Sequence, residues 1–364
     1  MPYPVNYGGV YDLFYKLEAL HAQGVLIHLH CFDYGRGRQP ELQKYCATVQ
    51  YYNRNTGYRA VSSYFPYIVY SRKNDDLLNN LLKDDHPILM EGIHCTYLLT
   101  DKRFAERKTA VRLHNVEYLY YKNLFSNSSN ILSGLYYLWE SRLLKKYERN
   151  IAALNTVFVA VSPGDRDVYK NMFNAKHAEY LPLFLPGNWQ VNNITGMGAY
   201  CLYHGDLSVS MNEKAAIWLI KLFASLKIPL VIAGKSPSAK LQRLVKDCEQ
   251  GCLVANPTAE TMQDMIAKAH INILPSFSST GIKIKLLNAL FNGRHCIVNT
   301  ATIFGTGLEE LCHVTDTEEA TRQRIEALYH QPFAQQESDA RKVLLTTMFN
   351  NEANAKKLMA VLWE

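Results

Sequence analysis

The stretch from Ile271 to Asn299 limits what this chain can fold into more than any other. Ile271-Asn-Ile-Leu274 is a short apolar run that stops at Pro275, as a buried strand does. Ser276, Ser278, Ser279 and Thr280 follow, with hydroxyls able to cap free amides at a helix start. Gly281 lets a ligand approach the backbone. Leu286, Leu287, Leu290 and Phe291 then line one helical face, and Gly293 is expected to end the helix in a left-handed conformation. Arg294-His-Cys-Ile-Val-Asn299 is the next strand. A small-residue loop between a strand and a helix gathers free amides and the helix dipole at one place, which suits an anion. Lys283 and Lys285 add charge there. The plain alternative is a strand-to-helix connection with solvated lysines.

The same alternation runs through the chain. Gly8-Gly9 opens a helix to about Gln23, and Val25–Cys31 reads as a strand. No strand is visible before that helix, so the first strand of a doubly wound sheet is expected to be absent. A short strand near 47–52, a helix near 74–83, and strands at 86–92 and 110–117 follow. Residues 118–153 read as one long helical region, and 156–162 as a buried strand. Leu181–Gly187 and the polar stretch to Gly198 resemble a linker. Beyond it, strand-then-glycine occurs at Gly205 and again at Gly234. Strand ends are where α/β sheets place ligands, so Glu91, His114, Asn115 and Glu117 are candidates in the first half. A strand-end His114 bonded to backbone and an ion-paired Glu117 are the plain readings. The expected domains are residues 1–186, 187–340 and a C-terminal helix, 341–364, crossing back to the first.

Charge narrows the partners. Residues 1–190 hold 22 Lys and Arg against 17 Asp and Glu, leaving 17 against 16 beyond. This mild excess suits anionic partners such as lipid headgroups or phosphorylated substrates, with peripheral contact at the inner membrane surface. It does not suit nucleic acid, for which no motif is present. No apolar run reaches the roughly 18 residues that span a bilayer. The eight cysteines form no C-x-x-C pair, as expected for reduced thiols in a cytoplasmic protein without a metal site.

The ordered segments "PYP…GG", "RLHNVEYLYYKNL", "WESRLLKKYE", "VAVSPGD", "LYHGDLSVSMNEKA", "LVIAG" and "ILPSFSSTGIKIKLLNALFNG" resemble the retaining GT-B glycosyltransferases of family 4. They are most similar to bacterial hexosyltransferases or mannosyltransferases of surface polysaccharide synthesis. The resemblance implies an α/β GT-B fold, with two Rossmann-like domains facing across a cleft. It implies a UDP- or GDP-linked nucleotide sugar as donor, a glycan or lipid-linked acceptor, no further cofactor and no metal. It places Gly8 and Gly9 near donor phosphate and acceptor, and His114 at the transferred sugar, while strand-end Glu91 is a candidate for acceptor contact or base work. It assigns the donor to Gly205, Gly234, Ser279, Thr280 and Gly281. Two positions depart from the family pattern: Thr280 and Asn288 stand where glutamates contact donor sugar and ribose. The usual Arg and Lys after the first donor-domain glycine are also absent. Lys214, Lys283 or Lys285 is expected to balance the leaving diphosphate, and Asn288 to bond ribose. The missing carboxylates leave open a catalytically impaired homologue acting as a partner subunit, beside another GT-B enzyme such as a sugar-nucleotide epimerase.

Overall fold

A computed structural model describes residues 1–5, 8–128, 130–277 and 281–364. The chain divides into two compact units: Met1–Gly187 with Phe349–Glu364, and Asn188–Met348.

The first unit runs α1 (Gly8–Ala22), β1 (His28–Asp33), β2 (Thr48–Asn53), α2 (Tyr67–Tyr70), α3 (Asp75–Leu81), β3 (Ile88–Glu91) and β4 (Thr109–Leu113). It continues through α4 (Glu117–Ser126), α5 (Ile131–Ala152), β5 (Val157–Ala160), α6 (Pro163–Asp167) and β6 (His177–Tyr180). All its strand pairs are parallel: β1 with β2, and separately β3-β4-β5-β6. Among the described residues no strand precedes α1. Met1, Tyr3 and Val5 instead pack against Phe14, Leu17, Cys31 and Leu42.

The long helical region expected over 118–153 is two helices. Asn130 starts α5 afresh, its side chain accepting from the Ser133 amide. Buried Glu148 on α5 caps α4, accepting from the Glu117 and Tyr118 amides at 3.0 and 2.9 Å. Strand β4 is buried at all five positions, including Arg112.

The second unit runs β7 (Cys201–Asp206), α7 (Ser210–Phe223), β8 (Leu230–Lys235), α8 (Ala239–Lys246), β9 (Gly251–Ala255), α9 (Ala259–Lys268) and β10 (Ile271–Ile273). It ends with α10 (Ile284–Asn292), β11 (His295–Val298), α11 (Thr300–Ile303), β12 (His313–Val314), α12 (Glu318–Tyr329) and α13 (Gln335–Met348). Its six strands are parallel in the order β12-β11-β10-β7-β8-β9. The chain winds outward from β7 in one direction, then restarts at β10 on the other side. The switch point therefore lies between β7 and β10.

Gly293 does not end α10 in the left-handed region. Its φ of −111° and ψ of −177° are extended. It must be glycine for space: a Cβ there would lie 2.4 Å from Asn272 Nδ2 and 2.8 Å from the Ala289 carbonyl oxygen. Of the expected capping residues, Ser278, Ser279 and Thr280 lie outside the described residues. The helix begins at Ile284 with Lys283 at its N-cap and no side-chain cap, and the Ser276 amide donates to Asn299 Oδ1.

The last helix, α14 (Asn351–Trp363), belongs to the first unit. Ala355, Leu358 and Leu362 pack with Ala19 and Leu20 of α1, Ala110 and Val159. Asn351 exchanges two hydrogen bonds with the Leu185 backbone. Residues 341–348, expected in this returning helix, belong to α13. No helix among the described residues is long and apolar enough to cross a membrane.

Candidate functional site

In the first unit the carboxyl ends of β3 and β4 bring Glu91 and His114 together over α1. His114 Nε2 lies 3.2 Å from Glu91 Oε2, and His114 Nδ1 lies 4.0 Å from Asp12 Oδ2. Beneath them is a buried ionic cluster. Arg112 grips Asp12 with two hydrogen bonds of 2.8 and 2.9 Å and donates to the Leu181 and Pro182 carbonyls. Lys16 bridges Asp12 at 3.0 Å and Glu91 at 2.7 Å. Burial alone would raise the Asp12 carboxyl, but the Arg112 and Lys16 charges outweigh it and hold it well below the usual range. Burial opposes ionisation of Glu91 too, and Lys16 and the His114 hydrogen bond overcome it. The pair Glu91–His114 is thus a rigid polar tip on a charge-balanced base. Glu117, at the start of α4, makes no ion pair among the described residues. Burial pushes its carboxyl up to about 7 against an Asn115 hydrogen bond. Gly8 and Gly9 form the first turn of α1, where Gly9 is exposed.

Asp12, Lys16 and Arg112 were not legible as site residues. Asp12 and Lys16 are four apart on a helix read for its apolar face, and Arg112 interrupts an otherwise apolar strand. A charged residue within a buried strand was the available signal.

In the second unit the switch point between β7 and β10 is where an open α/β sheet takes its ligand. Gly205 and Gly234 are cross-strand partners at the ends of β7 and β8. A Cβ on Gly234 would sit 1.9 Å from the Gly205 carbonyl oxygen, so glycine is required by strand contact alone. Lys214 and Lys283 contact the loop that follows β10, and Lys285 packs against β7 and α7. Lys214 from α7 stacks on Phe277 with its ammonium 4.4 Å from the ring centroid. Lys283 donates to the Gly281 carbonyl at 3.1 Å, where Gly281 has a φ of +66°. Lys285 is not the solvated charge its sequence position suggests. Its ammonium lies 4.7 Å over the Tyr203 ring and donates to Asn212 Oδ1 at 3.1 Å. Burial, with Lys283 nearby, lowers it to about 7. Asn288 accepts from the Asn292 side-chain amide through Oδ1 at 2.8 Å. Ser279 and Thr280 lie outside the described residues.

Beside this loop is a cavity of about 130 Å³ lined by Trp218, Pro275, Phe277, Asn299 and Asp316. It is close to the ~150 Å³ that accepts one benzene-sized ring. Asn299 and Asp316 shape it rather than reach into it. Asn299 clamps Ser276 from both amide and carbonyl, and Asp316 holds Thr300.

Two Rossmann-like units with parallel sheets make up a GT-B fold. Residues 198–331, within the second unit, match the family of glycosyl transferases, group 1, which supports a glycosyltransferase. An uncharacterised 44.6 kDa protein in the cps region of Klebsiella pneumoniae is 24% identical over 84% of this chain and 82% of its own length. A glycosyltransferase from Rickettsia africae superposes with a TM-score of 0.64 at 12% identity, over 98% and 94% of the two chains. An Escherichia coli protein described as trehalose-6-phosphate bound with UDP-2-fluoro glucose gives 0.61 at 10% identity, over 99% and 96%.

Proposed function

We propose that this protein transfers a hexose, with retention, from a nucleoside-diphosphate sugar to a glycan or lipid-linked acceptor in surface polysaccharide synthesis at the cytoplasmic face of the membrane. The observation that carries the reading is the placing of Lys214 and Lys283 on the loop after β10, with Lys285 set against β7 and α7. Transfer breaks the bond from the anomeric carbon to the diphosphate and forms one to the acceptor oxygen on the same face. Negative charge builds on the departing phosphate, and loop amides, helix dipole and ammonium groups oppose it without reorganising. The ring-sized cavity takes the base. On the acceptor unit His114 offers Nδ1 to a sugar hydroxyl while Glu91 fixes the ring. The cps-region relative supports the pathway class, and the UDP-sugar complex of the structural neighbour supports a UDP donor.

The first unit also exposes Phe125, Ile131, Leu132, Leu135, Tyr136 and Trp139 on α4 and α5. Together with the basic excess of this half, that surface suits a bilayer carrying a lipid-linked acceptor.

The test is a thermal-shift series with UDP, GDP and their hexoses, followed by nucleotide release with the stabilising donor. Selective stabilisation and turnover are expected. Lys214→Ala with Lys283→Ala should lower turnover by about 10²–10³-fold. A folded sample that no nucleotide stabilises would overturn the reading. It would favour a catalytically impaired partner subunit, which Thr280 and Asn288 in place of carboxylates already suggest.

A further inference from the structure

A second polar cluster lies in the second unit, at the amino ends of β11 and β12, away from the donor loop at the carboxyl ends. His295 opens β11 and His313 opens β12, and the ladder pairs His313 with Ile297. Residues two apart on a strand share a face, so both imidazoles project to the same side of the sheet. Helix α13 lies against that side, with Arg341 donating to the Gly293 carbonyl at 2.9 Å. Glu337, one turn earlier, is thereby placed over the pair. His295 Nδ1 lies 3.6 Å from Glu337 Oε1, and one ligand atom from each of the three residues lies within 4.8 Å of the others.

The ligand atoms are held from behind. His295 Nε2 donates to the Gln331 carbonyl at 3.0 Å, which leaves the lone pair on Nδ1. That Nδ1 is buried and has no hydrogen-bond partner among the described residues. Leaving a buried polar atom unmet costs about 1–3 kcal/mol. The other Glu337 oxygen, Oε2, accepts from the Ala334 amide at 3.0 Å, so the carboxylate is fixed as well. Backbone partners of this kind orient metal ligands. Atoms bound tetrahedrally at ~2.0–2.2 Å from one zinc ion stand about 3.3–3.6 Å apart, which the His295–Glu337 pair already matches.

We propose that His295 Nδ1, a ring nitrogen of His313 and Glu337 Oε1 bind a divalent transition-metal ion of the zinc class, which pins α13 to the β11–β12 edge. Two imidazoles and a carboxylate leave one coordination position for water. The role is structural, since the donor loop sits at the opposite strand ends. Arg341 and Arg324 face the cluster and oppose added positive charge, so affinity is below that of a closed four-ligand site. Among the described residues, the other trio of suitable spacing, Asp12, Glu91 and His114, already has Lys16 Nζ between its carboxylates.

The full chain, treated with chelator, is titrated with zinc chloride by calorimetry and with cobalt(II) chloride by visible absorption. One equivalent of each is expected to bind. The cobalt complex should show visible d–d bands without the near-ultraviolet thiolate band that any of the eight cysteines would give. Glu337→Gln keeps an acceptor for the Ala334 amide, and His313→Asn keeps a polar side chain. In samples with wild-type circular dichroism, each should weaken binding by more than the ~10–100-fold that loss of an outer partner costs. No saturable binding, a thiolate band, or affinity unchanged in both variants would overturn the proposal.

Discussion

Replacing Arg112 by methionine tests the buried cluster of the first unit. The side chain has no exposed surface, makes two bonds to Asp12 and donates to two backbone carbonyls. Methionine fills a similar volume without charge, so the cavity contribution is small. Removing one partner of a buried pair costs about 3–5 kcal/mol, because the other charge stays buried. The Leu181 and Pro182 carbonyls lose donors as well, at about 1 kcal/mol or more each. Lys16, still 3.0 Å from Asp12, recovers part of this. A net loss of about 4 kcal/mol follows, and a slope of about 2 kcal/mol/M converts it to a fall of about 2 M in the urea midpoint. The assay is urea titration followed by far-ultraviolet circular dichroism, fitted with separate transitions because there are two units. Acidity supplies a second reading. Asp12 is held well below its ordinary range, so its contribution is complete above the unfolded carboxylate value near ~4 and is lost as pH falls through the folded one. The gap between wild type and variant should narrow as the titration is repeated from neutral into acid. A midpoint within about 0.5 M of wild type, given that slope, or a gap independent of pH, would refute the argument.

Two further outcomes concern the second unit. Gly234→Ala forces a Cβ to 1.9 Å from the Gly205 carbonyl oxygen and 2.9 Å from Leu207 Cγ. Thermal unfolding should show a loss of about 1–3 kcal/mol, with nucleotide stabilisation reduced alongside. Lys285, lowered to about 7, binds fewer protons when folded than when unfolded across the alkaline range. Stability should therefore rise as pH climbs from about 7 toward the unfolded lysine value near ~10.4, and Lys285→Met should flatten that rise in denaturant midpoints.

Strands β7, β8 and β10 of the second unit were legible because each is an apolar run closed by glycine or proline, whereas β12, only His313–Val314, was not. Ala199–Gly205 and Pro229–Gly234 fall within a residue or two of β7 and β8. Strand β6, His-Ala-Glu-Tyr, has no such signature and exists because β5 offers it an edge. The split between α4 and α5 carried a local mark in its run of Asn and Ser, which apolar periodicity on both sides concealed. Residues meeting across distance were the least legible. Nothing local tells that Asp12 faces Arg112, or that Lys285 packs on Tyr203, because each contact is made by chain reversal. Gly293 misled for a related reason: it lies where a left-handed stop would, but the Asn272 side chain of a neighbouring strand is what excludes a Cβ.

The return of α14 to the first unit sets an order of assembly on the ribosome. The face formed by Ala19, Leu20, Ala110 and Val159 stays uncovered until Ala355, Leu358 and Leu362 have been synthesised. The second unit, Asn188–Met348, is one continuous segment and emerges whole before that. Synthesis thus runs against the sequence order of the units, so that the half begun first is finished last. A nascent chain halted just short of Asn351 would carry a complete second unit and a first unit that still shows an open apolar face to chaperones.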